Sequence, residues 1–237
     1  MTVQREWNTP IRAAWAAFAV LAVVHLAAQL VGADTAADVT QWFLMPVLAV
    51  VLWLSTAAPR SRLVVLTLVA LGFSWLGDSA PDLADGDIAF LLMVGFFLLA
   101  QITYIAAFAP FTTGAVLRRN RGGVVAYAFA VALLIAACAP GAGALLVPAL
   151  VYGAALGTMA VLAAGVDRTA AIGGGLFLVS DGMIAMGAFA DWFTPPVEGF
   201  WVMATYIAAQ ALIVLGVLEA DGARGHLSAP RARTATD

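Results

Sequence analysis

The sequence predicts an all-α protein of eight membrane-spanning helices, arranged as two parallel four-helix repeats. Three observations carry that expectation: a composition with too little polar matter to face water, a one-sided distribution of arginine, and a set of anchors that recurs at a fixed offset. Of the 237 residues, 63% are hydrophobic and only 11% are charged, against about 25% charged in a soluble domain. The mean hydropathy is +0.98. The bilayer is then the solvent, and only helices or a closed barrel satisfy their backbone groups there. The apolar runs are long and unbroken rather than alternating segments of ~10 residues, which excludes a barrel.

Charges and turn residues delimit the spans. They are read at 11–32, 40–57, 63–78, 88–111, 122–139, 145–166, 169–189 and 200–218. Most have the ~20 residues that a bilayer requires, and the third is the shortest. Pro140-Gly141-Ala142-Gly143 reads as the turn between the fifth and sixth. One transmembrane domain therefore occupies 1–220, and the polar, Ala- and Arg-rich stretch 221–237 reads as a disordered tail. The first apolar run is longer than the 7–15 residues usual in a cleaved signal peptide, and it reads as a retained span.

With these spans, both termini and alternate loops lie on one side. That side holds Arg5, Arg12, Arg60, Arg62, Arg118, Arg119, Arg121, Arg168, Arg224, Arg231 and Arg233, every basic residue in the chain. The opposite loops hold Asp34, Asp38, Asp82, Asp85, Asp87, Asp191 and Glu198, with no arginine. The positive-inside rule then sets both termini in the cytoplasm of a multi-pass protein of the cell (inner) membrane. The net charge of −3 argues against nucleic acid as a partner.

The repeat rests on three anchors. Met45-Pro46-Val47-Leu48 matches Val147-Pro148-Ala149-Leu150 at an offset of 102; GFSWLGD at 72–78 matches GLFLVSD at 175–181 at 103; TYIAA at 103–107 recurs at 205–209 at 102. The repeats span about 11–111 and 122–219. Four crossings return the chain to its starting side, so the halves are parallel, related by an axis along the membrane normal.

A carboxylate near the middle of a span costs roughly 2.5–3.5 kcal/mol on insertion scales and is a functional candidate by default. Asp181 lies 13 residues after Arg168, ~20 Å along a helix. Asp78 lies 16 residues after Arg62 and nearer the far interface. The repeat pairs the two, so that both can face one central cavity. Ser74 shares a helix face with Asp78, and Ser180 adjoins Asp181. Gln101 and Tyr104 are three apart on the fourth span, and Tyr206 and Gln210 four apart on the eighth. These are neutral candidates for binding a polar headgroup or fixing the acids; the bland alternative is interhelical hydrogen bonding as packing glue. His25 reads as a packing residue, and Cys138, the only cysteine, as a small core residue. One cysteine and two histidines, one of them in the tail, build no three-histidine zinc site. Trp42, Trp53, Trp75, Trp192 and Trp201 fall near span ends, as interfacial belt residues do.

The stretch LGFSWLGDSAPDL at 71–83, followed by Phe90, Gly95, Phe97 and AQITYIAAF at 100–108, resembles the central motif of the YhhN-like lysoplasmalogenase family. So do GGGLFLVSDGMIAMGAF at 173–189 and VMATYIAAQALIVLG at 202–216. The resemblance covers about 45–216. It implies an eight-helix membrane hydrolase that cleaves the vinyl-ether bond of a lysophospholipid of the lysoplasmalogen type. The products are a fatty aldehyde and glycerophospho-ethanolamine or glycerophospho-choline, and the family's two aspartates fall on Asp78 and Asp181. Two departures stand out: Met45-Pro46 where the family often has Lys-Pro, and Gln101 where it often has His.

Vinyl-ether hydrolysis delivers a proton to carbon, forms an oxocarbenium ion, adds water and collapses to aldehyde and alcohol. One carboxyl must be protonated and the other ionised, a division that unequal environments produce in paired acids. Asp181, the deeper, is the expected donor and Asp78 the base, with no metal or other cofactor required. The competing class is a small-molecule or proton-coupled transporter, since acids at a repeat interface also hold ions in carriers. A lipid hydrolase predicts a lateral apolar opening beside both acids, a carrier predicts openings toward both aqueous sides, and a purely structural bundle predicts satisfied acids with no pocket.

Overall fold

The structure, a computed structural model, describes residues 9–112 and 121–228. The described residues form helices joined by short turns: α1 (Thr9–Val31), α2 (Asp34–Leu54), α3 (Arg62–Ser79), α4 (Gly86–Phe108), α5 (Arg121–Ala142), α6 (Leu146–Val166), α7 (Arg168–Phe189) and α8 (Glu198–Ser228). Seven helical stretches among them are long and apolar enough to cross a membrane. One of the seven is Arg121–Val166, 46 residues long, which contains both α5 and α6.

That stretch is interrupted, though not where the sequence suggests. Pro140 lies inside α5, which runs on to Ala142, and the break is the single 3-10 turn Gly143–Leu145. Gly143 takes a φ of +49°, a left-handed conformation that only glycine adopts without strain. Beyond it the chain folds back: Gly153 faces Val131 and Ile135, and Gly157 faces Val131, so α5 and α6 run antiparallel in contact.

Capping groups fix two of the starts on the arginine-bearing side. Ser61, in extended conformation, accepts from Val64 N ahead of α3, and the Asp167 carboxylate accepts from Thr169 N at 2.6 Å ahead of α7. Each satisfies a backbone donor that the first turn leaves orphaned. At the opposite end, Gln41 donates to the Asp78 carbonyl at 3.2 Å, Trp42 to Asp82 at 2.7 Å and Trp75 to the Trp42 carbonyl at 2.9 Å, which clamps α2 onto the end of α3. His25 is buried, with Nδ1 3.1 Å from Ala37 O and 3.0 Å from Thr40 Oγ1, so it joins α1 to α2 as a packing residue. The five belt tryptophans are all partly exposed.

Side chains such as Leu44, Leu48, Leu71, Phe108, Met159, Phe177 and Ile213 fill the core. Close packing rather than water exclusion drives helix association in lipid, and small residues permit it. One close approach is α7 against α8, where a Cβ on Gly173 would lie 2.7 Å from Ala209 O and 2.9 Å from Ile213 N.

The contacts sort the helix ends. Asp34, Asp82, Asp85, Asp87, Asp191 and Glu198 lie at or beside one end of the bundle. Arg12, Arg60, Arg62, Arg121 and Arg168 lie at the other. Arg5, Arg118, Arg119, Arg231 and Arg233 are outside the described residues. The last helix extends to Ser228, past the boundary expected at 220, and 229–237 is outside the described residues.

Candidate functional site

Asp78 sits in the last turn of α3 and Asp181 in the second half of α7, and both are buried, 6% and 4% exposed. A buried carboxyl without partners is costly, and each has them. Tyr206 on α8 donates to Asp78 Oδ2 at 2.8 Å. Gln101 on α4 donates to Asp181 Oδ2 at 3.0 Å, and Tyr152 on α6 donates to the same oxygen at 2.5 Å. The Gln101 Oε1 is buried with no hydrogen-bond partner.

A partly open apolar groove lies between α4, α5, α6 and α7. Phe90, Phe97, Leu134, Cys138 and Leu156 are among its walls. Its only charged lining group is Asp181, with Tyr152 beside it. Leu91 of α4 and Leu150 of α6, 55% and 38% exposed, stand at the rim.

The remaining predicted residues divide. Tyr104 donates to Gln210 Oε1 at 2.6 Å, and Gln210 Nε2 donates to Ser74 at 3.0 Å. This fully buried chain links α4, α8 and α3 one to two turns below Asp78. Ser180 donates to the Val202 carbonyl at 3.0 Å, tying α7 to α8; it turns away from Asp181. None of these four touches the groove. The positions that match in sequence, Tyr104 and Tyr206, therefore have different partners: a glutamine for one, a carboxylate for the other.

The expectation that both acids share one cavity does not hold: Asp78 does not line the groove. Phe97 does, and it closes that side. Its ring meets Tyr206 edge to face at 5.6 Å and Phe177 at 6.3 Å. Gly77 leaves the room, since a Cβ there would be 2.9 Å from the Phe97 ring. Tyr206, held in that aromatic cluster, is what reaches Asp78.

Tyr152 is the residue that sequence reasoning misses. It has no helical-spacing relation to either acid, because it arrives from another helix. A signal does exist, since a phenol in an apolar span needs a partner. Met45, where the resemblance leads one to look for lysine, is fully buried in the core. Cys138 is buried but borders the groove.

A multi-pass helical membrane protein with a carboxylic acid at the wall of an apolar groove is the class that these features define. The chain belongs to the YhhN family, whose model matches residues 36–217. It is 31% identical over 183 residues to a protein of Rattus norvegicus named lysoplasmalogenase TMEM86B, covering 76% of this chain and 73% of that one. It is 28% identical over 183 residues to the Mus musculus protein of the same name, covering 76% of each. No solved structure matches the chain.

Proposed function

We propose that this protein is a membrane hydrolase that cleaves the vinyl-ether bond of lysoplasmalogen-type lysolipids, giving a fatty aldehyde and glycerophospho-ethanolamine or glycerophospho-choline. The observation that carries the reading is Asp181: one charged group, gripped by Tyr152 and Gln101, at the wall of a groove otherwise suited to a hydrocarbon chain. The names of the rat and mouse relatives point to the same reaction.

In this reading the chain lies in the groove with its ether beside Asp181. Asp181 Oδ2 accepts from both Tyr152 and Gln101, so the transferable proton is on Oδ1. That proton goes to the vinyl carbon distal to oxygen, and the C=C electron pair forms the new C–H bond. Positive charge develops across the adjacent carbon and the ether oxygen, next to the carboxylate just formed. Water adds to that carbon and returns a proton to Asp181. Collapse of the hemiacetal breaks the C–O bond to glycerol, the hydroxyl proton passes to the departing oxygen, and aldehyde and alcohol are left. The Gln101 carbonyl, free beside Asp181, is an acceptor for the incoming water. Asp78 acts from behind Phe97, through Tyr206 and its charge; a direct base role requires Phe97 to swing aside.

We also read the long Arg121–Val166 stretch as two crossings, which gives eight in two parallel sets of four. Its antiparallel fold-back and the segregation of arginine support that count. The transporter reading predicts passages toward both aqueous sides. A groove rimmed by exposed leucines argues against it.

Purified protein in detergent, incubated with a panel of 1-alkenyl, 1-alkyl and 1-acyl lysophospholipids and read by mass spectrometry, tests the proposal. Aldehyde from the alkenyl substrates alone is the expected result. Release of fatty acid from 1-acyl lipids, or no turnover of any, would overturn it.

A further inference from the structure

The groove occupies only one half of the bundle's thickness. Its α4 residues run from Phe90 to Phe97 and its α5 residues from Leu134 to Ala142. The α6 residues run from Leu145 to Leu156 and the α7 residues from Asp181 to Phe189. Each set belongs to the half nearer the acid-bearing end. Asp181 is eight residues from the end of α7, ~12 Å along the axis and so within one leaflet of a ~30 Å hydrocarbon core.

The mouth lies in the same half. Leu91 is five residues into α4 and Leu150 four residues into α6, and exposed leucines at that depth face lipid chains. No arginine borders the groove among the described residues, and the described arginine side chains lie at the opposite end.

We propose that the groove is loaded sideways, from the leaflet on the acid-bearing side and not from the leaflet on the arginine-bearing side. This rests on the lipid-hydrolase reading and adds to it which leaflet supplies the substrate. A lysolipid in the other leaflet must first carry its charged headgroup across the hydrocarbon core, which is slow because desolvating those charges is costly. By the positive-inside rule the loading leaflet is the one away from the cytoplasm.

Proteoliposomes sorted by which terminus-tagged end faces outward, and given 1-alkenyl lysophospholipid from outside only, test this. Vesicles with the acid-bearing end outward are expected to release aldehyde promptly. Those with the arginine-bearing end outward are expected to lose most of that rate, and detergent is expected to equalise the two. Equal rates in intact vesicles, or a faster rate from the arginine-outward population, overturn the proposal. If neither population turns over substrate even in detergent, the hydrolase reading fails by itself, and Cys138 still reports the loading side. As the only cysteine in the chain and a wall of the groove, it is expected to be alkylated by a lipophilic maleimide, with Cys138→Ala as the blank. A non-hydrolysable 1-alkyl lysophospholipid added to the acid-side leaflet should slow that labelling, and the same lipid added to the arginine side should not. Protection from the arginine side, or from neither, overturns the assignment.

Discussion

Gln101 on α4 donates to Asp181 on α7 across 3.0 Å, so a residue of the first half of the chain holds the acid of the second. Tyr206 reverses the direction, reaching from the second half to Asp78 in the first. Neither acid is held only by helices of its own half, and this interlocking shapes what substitutions should do.

Asp181→Asn is expected to lose aldehyde release by about a hundredfold or more, as loss of a positioned proton donor does. The amide fits the same space, so the purified variant should keep its size-exclusion profile. Activity within a factor of a few of the parent would remove Asp181 from the chemistry.

Tyr152→Phe deletes one of the two donors to Asp181 Oδ2 without changing the groove's shape. The expected result is a drop in kcat of about tenfold with little change in KM, since roughly 1.4 kcal/mol of lost stabilisation is tenfold in rate. Kinetics at several substrate concentrations distinguish this from a defect in chain binding, which would raise KM alone.

Gln101 offers a comparison with the histidine that the family resemblance leads one to look for at that position. Gln101→His keeps a donor near Asp181 and should keep activity within about tenfold. Gln101→Leu leaves the acid to Tyr152 alone and should destabilise the protein by about 1–3 kcal/mol, the cost of an unmet buried polar partner. Thermal unfolding in detergent alongside aldehyde assays separates the two effects.

Gly173→Ala should destabilise the α7–α8 contact by about 1–3 kcal/mol, because an added methyl meets backbone on the neighbouring helix and not a side chain able to turn. A melting temperature equal to the parent's would mean that the helices slide apart at no cost.

Much of the fold is legible in the sequence because the bilayer imposes strict rules. Most apolar runs mark helix limits within about three residues of those observed, although α2 begins at Asp34, six residues before the expected 40, and α8 runs on to Ser228. Both acids stand out because nothing else charged lies so deep. What escapes is rotation and partnership. Periodicity along α6 says that Tyr152 is in a span, but not that it turns toward α7. Pro140 reads as a turn signal, yet a proline in the last turn of a membrane helix leaves few bonds to break, and Gly143 makes the bend instead. Likewise the repeat matches Asp78 to Asp181, whereas the wall of Phe97 between Asp78 and the groove depends on how four helices nest.

A mouth framed by Leu91 and Leu150 also sorts the fragments once the bond is cut. On the proposed chemistry, one product is greasy and the other water-loving. The aldehyde can slip out through the leucines and dissolve among neighbouring lipids, while the glycerophosphodiester passes into the aqueous phase. Partition between two phases then keeps the fragments from meeting again, and the equilibrium is drawn toward cleavage without any coupled source of energy. The enzyme that next consumes the aldehyde would have to fetch it from within the membrane.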